Sequence, residues 1–278
     1  MKAFKSLFKP ATPWRIVQTD DKDSYLDSIK KFQLTKDEVQ HIRIMLYGPT
    51  GSGKSSFINS VERILRDRVT SQALSDSIGG SSFTKKYRTH PIKKDSSSYY
   101  PFVFTDVMGL EKERKKGACP EDIALAFKGH VKDGYTFNPQ TSISPTDPFY
   151  NSSPTMNDKT HVLVCVVSAS TANCTEHLEK IRDVRLEASD LGIPQVAVLT
   201  KIDEACPEVH LNIKKVFTSN IIKKRTEEVS AYVGIPMQSI FPVKNYHSEF
   251  IRNKDMDTLI LMALKQIIDF GEDFLDQN

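Results

Sequence analysis

Two hydrophobic periods alternate along this chain. Near-continuous apolar runs at about 41–47, 101–106, 161–168 and 195–200 predict strands, with weaker runs at 84–92 and 239–243. Strands buried on both faces lose the in–out alternation, which is why they read as unbroken apolar blocks. Between them apolar residues recur at helical spacing, as at Phe57, Ile58, Val61, Ile64 and Leu65. Strand and helix alternating from residue 41 onward predict an α/β fold: a mostly parallel six-stranded sheet with helices on both faces. Residues 255–274, carrying Met256, Leu259, Ile260, Ala263, Leu264, Ile267 and Ile268, predict a long helix that closes the domain. Residues 1–35 are expected to form an arm with a short helix, anchored by Trp14, and 36–278 the domain itself. Two segments break the rhythm. Residues 66–83 form a polar loop, and the proline-rich 133–160 is too long for an ordinary connection, so it is either functional or disordered.

Between the first strand and first helix of that domain stands Gly48-Pro49-Thr50-Gly51-Ser52-Gly53-Lys54-Ser55, which matches G-x-x-x-x-G-K-[ST]. A bare glycine turn is the plain alternative. In the strand–loop–helix context, however, glycines let backbone N–H groups converge on an anion at the positive end of a helix. Lys54 would then reach the β- and γ-phosphates, and Ser55 would bind Mg²⁺. Gly48, Gly51, Ser52, Gly53 and Ser56 complete the candidate phosphate cradle. The fold expected is a P-loop NTPase. Charge is nearly balanced, 38 basic against 35 acidic residues for a net +3, which gives no reason to expect nucleic acid as a partner. The longest apolar run, Val162-Leu163-Val164-Cys165-Val166-Val167, is too short to cross a bilayer, and residues 1–10 lack a secretory h-region. Cys119, Cys165, Cys174 and Cys206 show neither C-x-x-C nor zinc spacing and read as reduced thiols.

A P-loop alone does not separate ATPase, kinase and GTPase; later elements at strand ends do. Asp106-Val107-Met108-Gly109 offers a carboxylate for Mg²⁺ and a Gly109 N–H for a γ-phosphate, although Asp-x-x-Gly is also a common turn. Thr200-Lys201-Ile202-Asp203 resembles the [NT]-K-x-D guanine-reading motif. A carboxylate there accepts from guanine N1–H and N2–H₂, a pattern adenine lacks, while Lys201 lays its stem over the purine. Thr200 stands where Asn is more frequent, so one supporting hydrogen bond to the loop should be weaker or rerouted. A helix start capped by Asp203 is the bland alternative. Val243-Lys244-Asn245-Tyr246 lies where a backbone N–H would meet guanine O6, with the Lys244 and Asn245 side chains expected to matter little. Thr84, with Thr89 second, is the candidate Mg²⁺ threonine before the second strand; Arg88 is expected to face solvent. Leu110 occupies the place of a water-orienting Gln, so hydrolysis should be slow or depend on another residue. Glu111, Glu113 and Arg114 read as a solvated switch helix.

Taken together, Pro13-Trp14-Arg15, Gly48 to Ser55, Val69-Thr70-Ser71-Gln72-Ala73-Leu74, Lys86-Tyr87-Arg88-Thr89 and Thr200 to Asp203 resemble the interferon-induced protein 44 family. Phe137-Asn138-Pro139, Gly234-Ile235-Pro236 and Val243 to Tyr246 extend the likeness to nearly all of the chain. The resemblance implies a Ras-like G domain that takes GTP or GDP with Mg²⁺, a cytoplasmic location and a part in the interferon and antiviral response. Protein partners, self-association among them, would be expected. Longer family members carry an extra N-terminal domain, and this chain reads as a short form without it. The catalytic set implied is Lys54, Ser55 and Gly109; a scaffold that holds nucleotide with negligible turnover is the alternative.

Overall fold

The structure, a computed structural model, describes residues 12–17, 21–68, 86–107, 118–170 and 175–278. Six strands form one sheet: β1 (Ile42–Tyr47), β2 (Arg88–Lys93), β3 (Tyr99–Asp106), β4 (Val162–Ser168), β5 (Gln195–Thr200) and β6 (Ile240–Pro242). Their order is β2-β3-β1-β4-β5-β6, and every pairing is parallel except β2 with β3. Chain order reverses on either side of β1, the arrangement in which α/β sheets open a ligand crevice at the carboxyl ends of their strands. All seven residues of β4 are buried, which accounts for its unbroken apolar sequence. The predicted 239–243 strand shrinks to three residues because Met237–Ser239 coils into a 3-10 turn. β2 lies at a sheet edge, where Pro91 and a register shift beside it cost no interior ladder bond.

The helices are α1 (Lys22–Lys31), α2 (Lys54–Arg66), α3 (Pro120–Phe127), α4 (Thr175–Asp190), α5 (Ile202–Ala205), α6 (Pro207–Leu211), α7 (Asn220–Val233) and α8 (Lys254–Gln277). α8 lies over β1 and β4 with α1 and α2 beside it, while α4 packs between α3 and α7. Asn253 starts α8 by accepting from the Asp255 and Met256 amides. Trp14, expected to anchor the arm, donates its amide to Phe217 O at 2.8 Å and its indole N–H to Val216 O at 3.1 Å. Arg15 reaches the carbonyls of Ile240 and Met237, at the start of β6.

Residues 133–160 follow one definite course, so the disordered alternative fails. Tyr87 and residues 134–135 exchange two backbone hydrogen bonds of 2.8 Å, and Lys86 bridges to Thr136, which lays this segment beside the entry to β2. Asp122, fully buried in the first turn of α3, accepts from Tyr135 Oη at 2.8 Å, Ser142 Oγ at 2.6 Å and the Ile143 amide at 2.7 Å. One carboxylate therefore fastens the segment to α3, while its backbone fastens it to β2. The loop at 69–83 and the expected switch helix at 111–114 lie outside the described residues.

Asp122→Ala should destabilise the protein by about 2–4 kcal/mol, because it strands two buried donors, the Tyr135 hydroxyl and the Ile143 amide, at once. Urea unfolding monitored by circular dichroism checks this; a loss below about 1 kcal/mol would mean the segment is held by other contacts.

Candidate functional site

Pairing register puts the loop after β1 and the tips of β3, β5 and β6 along one edge of the sheet. Leu46 lies opposite Asp106, Ser168 opposite Thr200, and Leu199 opposite Pro242. The loop after β1 can turn only because Gly48 is a glycine. At φ 145° its backbone runs so close to β4 that a Cβ would lie 2.1 Å from the Val166 carbonyl oxygen. Gly53, at φ 97°, delivers the chain into α2 without a side-chain cap, leaving the first-turn amides of the helix directed at the loop. A Cβ built on Gly51 would meet nothing within 4 Å. The Ser52 hydroxyl is buried yet has no hydrogen-bond partner among the described residues. Uncapped amides, an open glycine and an orphaned buried hydroxyl together fit an anion.

Lys54, only 4% exposed, donates through Nζ to the carbonyls of Gly48 at 3.0 Å and Pro49 at 3.1 Å. The ammonium thus lies folded over the mouth of its own loop, held by neutral oxygens that a phosphate could replace. Ser55 Oγ donates to Asp106 Oδ2 at 2.9 Å, with both residues buried. A hydroxyl and a carboxylate joined in this way are oxygen donors suited to a hard cation whose other ligands are phosphate and water, so they fit Mg²⁺. Ser56 follows in the same turn of α2. Gly109, Leu110 and Thr84 lie outside the described residues. Thr89, the second Mg²⁺ candidate, is otherwise engaged: its hydroxyl accepts from Arg43 Nη1 at 3.1 Å, in a cluster with Thr105. Arg88 is exposed.

The loops after β5 and β6 close onto the glycine loop. Thr200 Oγ1 donates to the Ser52 carbonyl, and the same oxygen lies 3.3 Å from Val167 O. The bond expected to weaken where Thr replaces Asn is therefore present, made by the shorter side chain. Asn245 Nδ2 donates to Gly53 O at 3.1 Å, and Tyr246 N to Ser60 Oγ at 3.0 Å. The expectation that the side chains at 244 and 245 matter little does not hold. Asn245 pins the opening of α2, and Lys244 Nζ lies 3.4 Å from Asp203 Oδ2 and 3.0 Å from Glu249 Oε1. Burial works against the Lys244 charge, but the two carboxylates outweigh it and raise its pKa. Burial likewise opposes ionisation of Glu249, yet the His247 amide and Lys244 hold its pKa down at about 2. Lys201 takes a left-handed conformation, φ 55°, at the start of α5, with its ammonium 3.8 Å from Glu204. Asp203 lies in the first turn of α5, half-buried on the side facing Lys244. Glu249 was not visible as a site residue in the sequence; its distance from Thr200–Asp203 along the chain concealed it.

Thr200→Val should cost about 1–2 kcal/mol in denaturant unfolding, since it leaves the buried Ser52 carbonyl without its donor. An unchanged midpoint would show that the loop does not depend on this hydroxyl.

No family model matches the chain. Among curated proteins it is 36% identical over 273 residues, 94% of its length, to interferon-induced protein 44-like of Homo sapiens. It is 34% identical over 257 residues to interferon-induced protein 44 of Homo sapiens and 32% identical over 256 residues to that of Mus musculus. The chain spans 59% of the first of these relatives and 57% of the second. Its fold is similar to that of Toc33 from Arabidopsis thaliana, in the crystal structure of a dimerization-deficient mutant, with a TM-score of 0.51 and 15% identity over 93% of each chain. The fold is that of a P-loop NTPase in its Ras-like G-domain form.

Proposed function

This chain belongs to the interferon-induced protein 44 family over the part of its relatives that it spans, and from that premise we propose that it is a guanine-nucleotide-binding regulatory protein of the interferon-induced antiviral response. It would take GTP or GDP with Mg²⁺ in the cytoplasm, and protein partners, including other copies of itself, would read its nucleotide state. One observation carries the nucleotide reading: the loop suited to a phosphate is hydrogen-bonded through Thr200 to the loop carrying Asp203 and through Asn245 to the loop after β6, whose Lys244 pairs with Asp203. A phosphate cradle and a base reader need that fixed relation, because a nucleotide has one length.

In this reading Lys54 leaves the carbonyls of Gly48 and Pro49 for phosphate oxygens, with Gly51, Ser52, Gly53 and Ser56 lining the phosphate path. Ser55 and Asp106, with Thr84, would hold Mg²⁺, whose charge offsets that of the phosphates. Gly109 would donate its amide to the γ-phosphate. Thr200 fixes the loop, Lys201 covers one face of the purine, and Asp203 accepts from its N1–H and N2–H₂. Hydrolysis would proceed by direct attack of water on the γ-phosphate with no covalent intermediate. Leu110 makes it slow or dependent on a partner, because an aliphatic side chain cannot orient water.

The same leucine favours a second reading, a nucleotide-holding scaffold with negligible turnover. Single-turnover assays with and without cell extract separate the two: phosphate release in either condition favours the GTPase, and none in both favours the scaffold.

Lys54→Ala should abolish the rise in melting temperature that GDP and Mg²⁺ give the native protein. A shift equal to that of the native protein would rule out the loop as a phosphate cradle. Asp203→Asn should lose at least tenfold in guanine affinity and gain for xanthine nucleotides, which titration calorimetry measures directly. Retained guanine preference would remove the base-reading role.

A further inference from the structure

Lys244 is placed to do more than carry a backbone amide. An ammonium has three N–H donors in a tetrahedral fan. Its two ion-pair partners are Glu249 Oε1 at 3.0 Å and Asp203 Oδ2 at 3.4 Å, so at least one N–H remains for a ligand. A single exposed ion pair would fix the lysine only weakly, but the second carboxylate is itself held. Glu249 Oε2 accepts from the His247 amide at 2.9 Å, and its carbonyl accepts from Arg63 Nη1 at 2.7 Å. Arg63 also stacks its guanidinium 4.2 Å from the centre of the Tyr246 ring. The loop that presents Glu249 is thus tied to α2, and Lys244 is braced from a fixed post.

Two of the four backbone amides at 243–246 are already committed. The Val243 amide is committed to Leu199 O at 2.8 Å and the Tyr246 amide to Ser60 Oγ at 3.0 Å. What the side chains present is ordered chemistry: a donor on Lys244 and then the two acceptor oxygens of Asp203. The edge of guanine presents the complement in the same order: acceptor O6, donor N1–H, donor N2–H₂. Adenine presents a donor and then an acceptor, so it would face ammonium with N–H₂ and carboxylate with a lone pair, leaving both charges unsatisfied.

Resting on the guanine reading above, we propose that Lys244 is a specificity-determining residue of the purine pocket, its ammonium reading O6 beside Asp203, with Glu249 as the positioning residue that holds it there. Without Glu249 the ammonium would collapse onto Asp203 and compete with the base for the same oxygens.

The test pairs GDP with 6-thioguanosine diphosphate, which keeps N1–H and N2–H₂ but replaces O6 with a weakly accepting sulfur. Titration calorimetry on the full chain with Mg²⁺ should give about a tenfold preference for GDP in the native protein. The ratio should fall to near one in Lys244→Met, with GDP itself bound about tenfold more weakly, and to an intermediate value in Glu249→Gln. Steric effects of the sulfur cancel in this cycle, and a merely structural role for Lys244 would weaken both ligands alike. A GDP-to-thio ratio that stays the same in both variants, or tighter GDP binding by Lys244→Met, overturns the proposal. If Lys244→Met does not fold, the ratio in Glu249→Gln decides alone. No heat with GDP in the native protein would instead sink the guanine reading itself, a failure seen before any variant is made.

Discussion

A buried hydroxyl joins the two halves of this site. Thr200, at the carboxyl end of β5, donates to the Ser52 carbonyl in the loop after β1, although β4 lies between the two strands. The contact is possible because Gly48 lets the loop lie directly against Val166 of that intervening strand. Once loop and strand tips are fixed this way, the remaining groups have little freedom. Gly53 is enclosed by Thr200 and Asn245, so the start of α2 is set by the same residues that set the loops after β5 and β6. Positional error in the glycine loop would therefore propagate to Asp203, and the converse. A site built to grip both ends of one ligand gains affinity from such rigidity, because less ordering remains to be done on binding.

Charge inside the site follows the same logic of provisional partners. A lysine as buried as Lys54 is costly unless hydrogen-bonded, and two loop carbonyls satisfy it. Asp106 takes the Ser55 hydroxyl, and Asp203 takes Lys244. Each of these contacts is weaker than what a phosphate, a divalent cation or a guanine edge would offer to the same group. These contacts keep the groups in place, yet each can be exchanged for a stronger one.

Much of this was legible in the sequence, and the limits have physical causes. β1, β4 and β5 could be read because strands buried on both faces carry unbroken apolar runs, and the glycine loop because its chemistry is local and its residues contiguous. The edge strand β2 was misplaced by a few residues, since half its side chains face outward and its pattern is diluted. Residues 133–160 gave no sign of their course because much of what holds them is nonlocal: an aspartate in α3, a two-bond backbone pairing with Tyr87, and Asn157 bonded to Gln40 and Arg43. None of these leaves a periodic trace. Glu249 escaped for the same reason. Its partners Lys244 and Arg63 are unremarkable charges until the fold brings them together.

The segment at 133–143 changes how this edge of the domain can respond. It holds β2 through Tyr87 and α3 through Asp122 at once. A displacement at either place therefore works against the same buried carboxylate. The antiparallel edge at β2 is also partly occupied by this segment, which removes backbone hydrogen-bonding groups that a partner strand could otherwise use. Recognition of this domain by added strands is thereby disfavoured on that side.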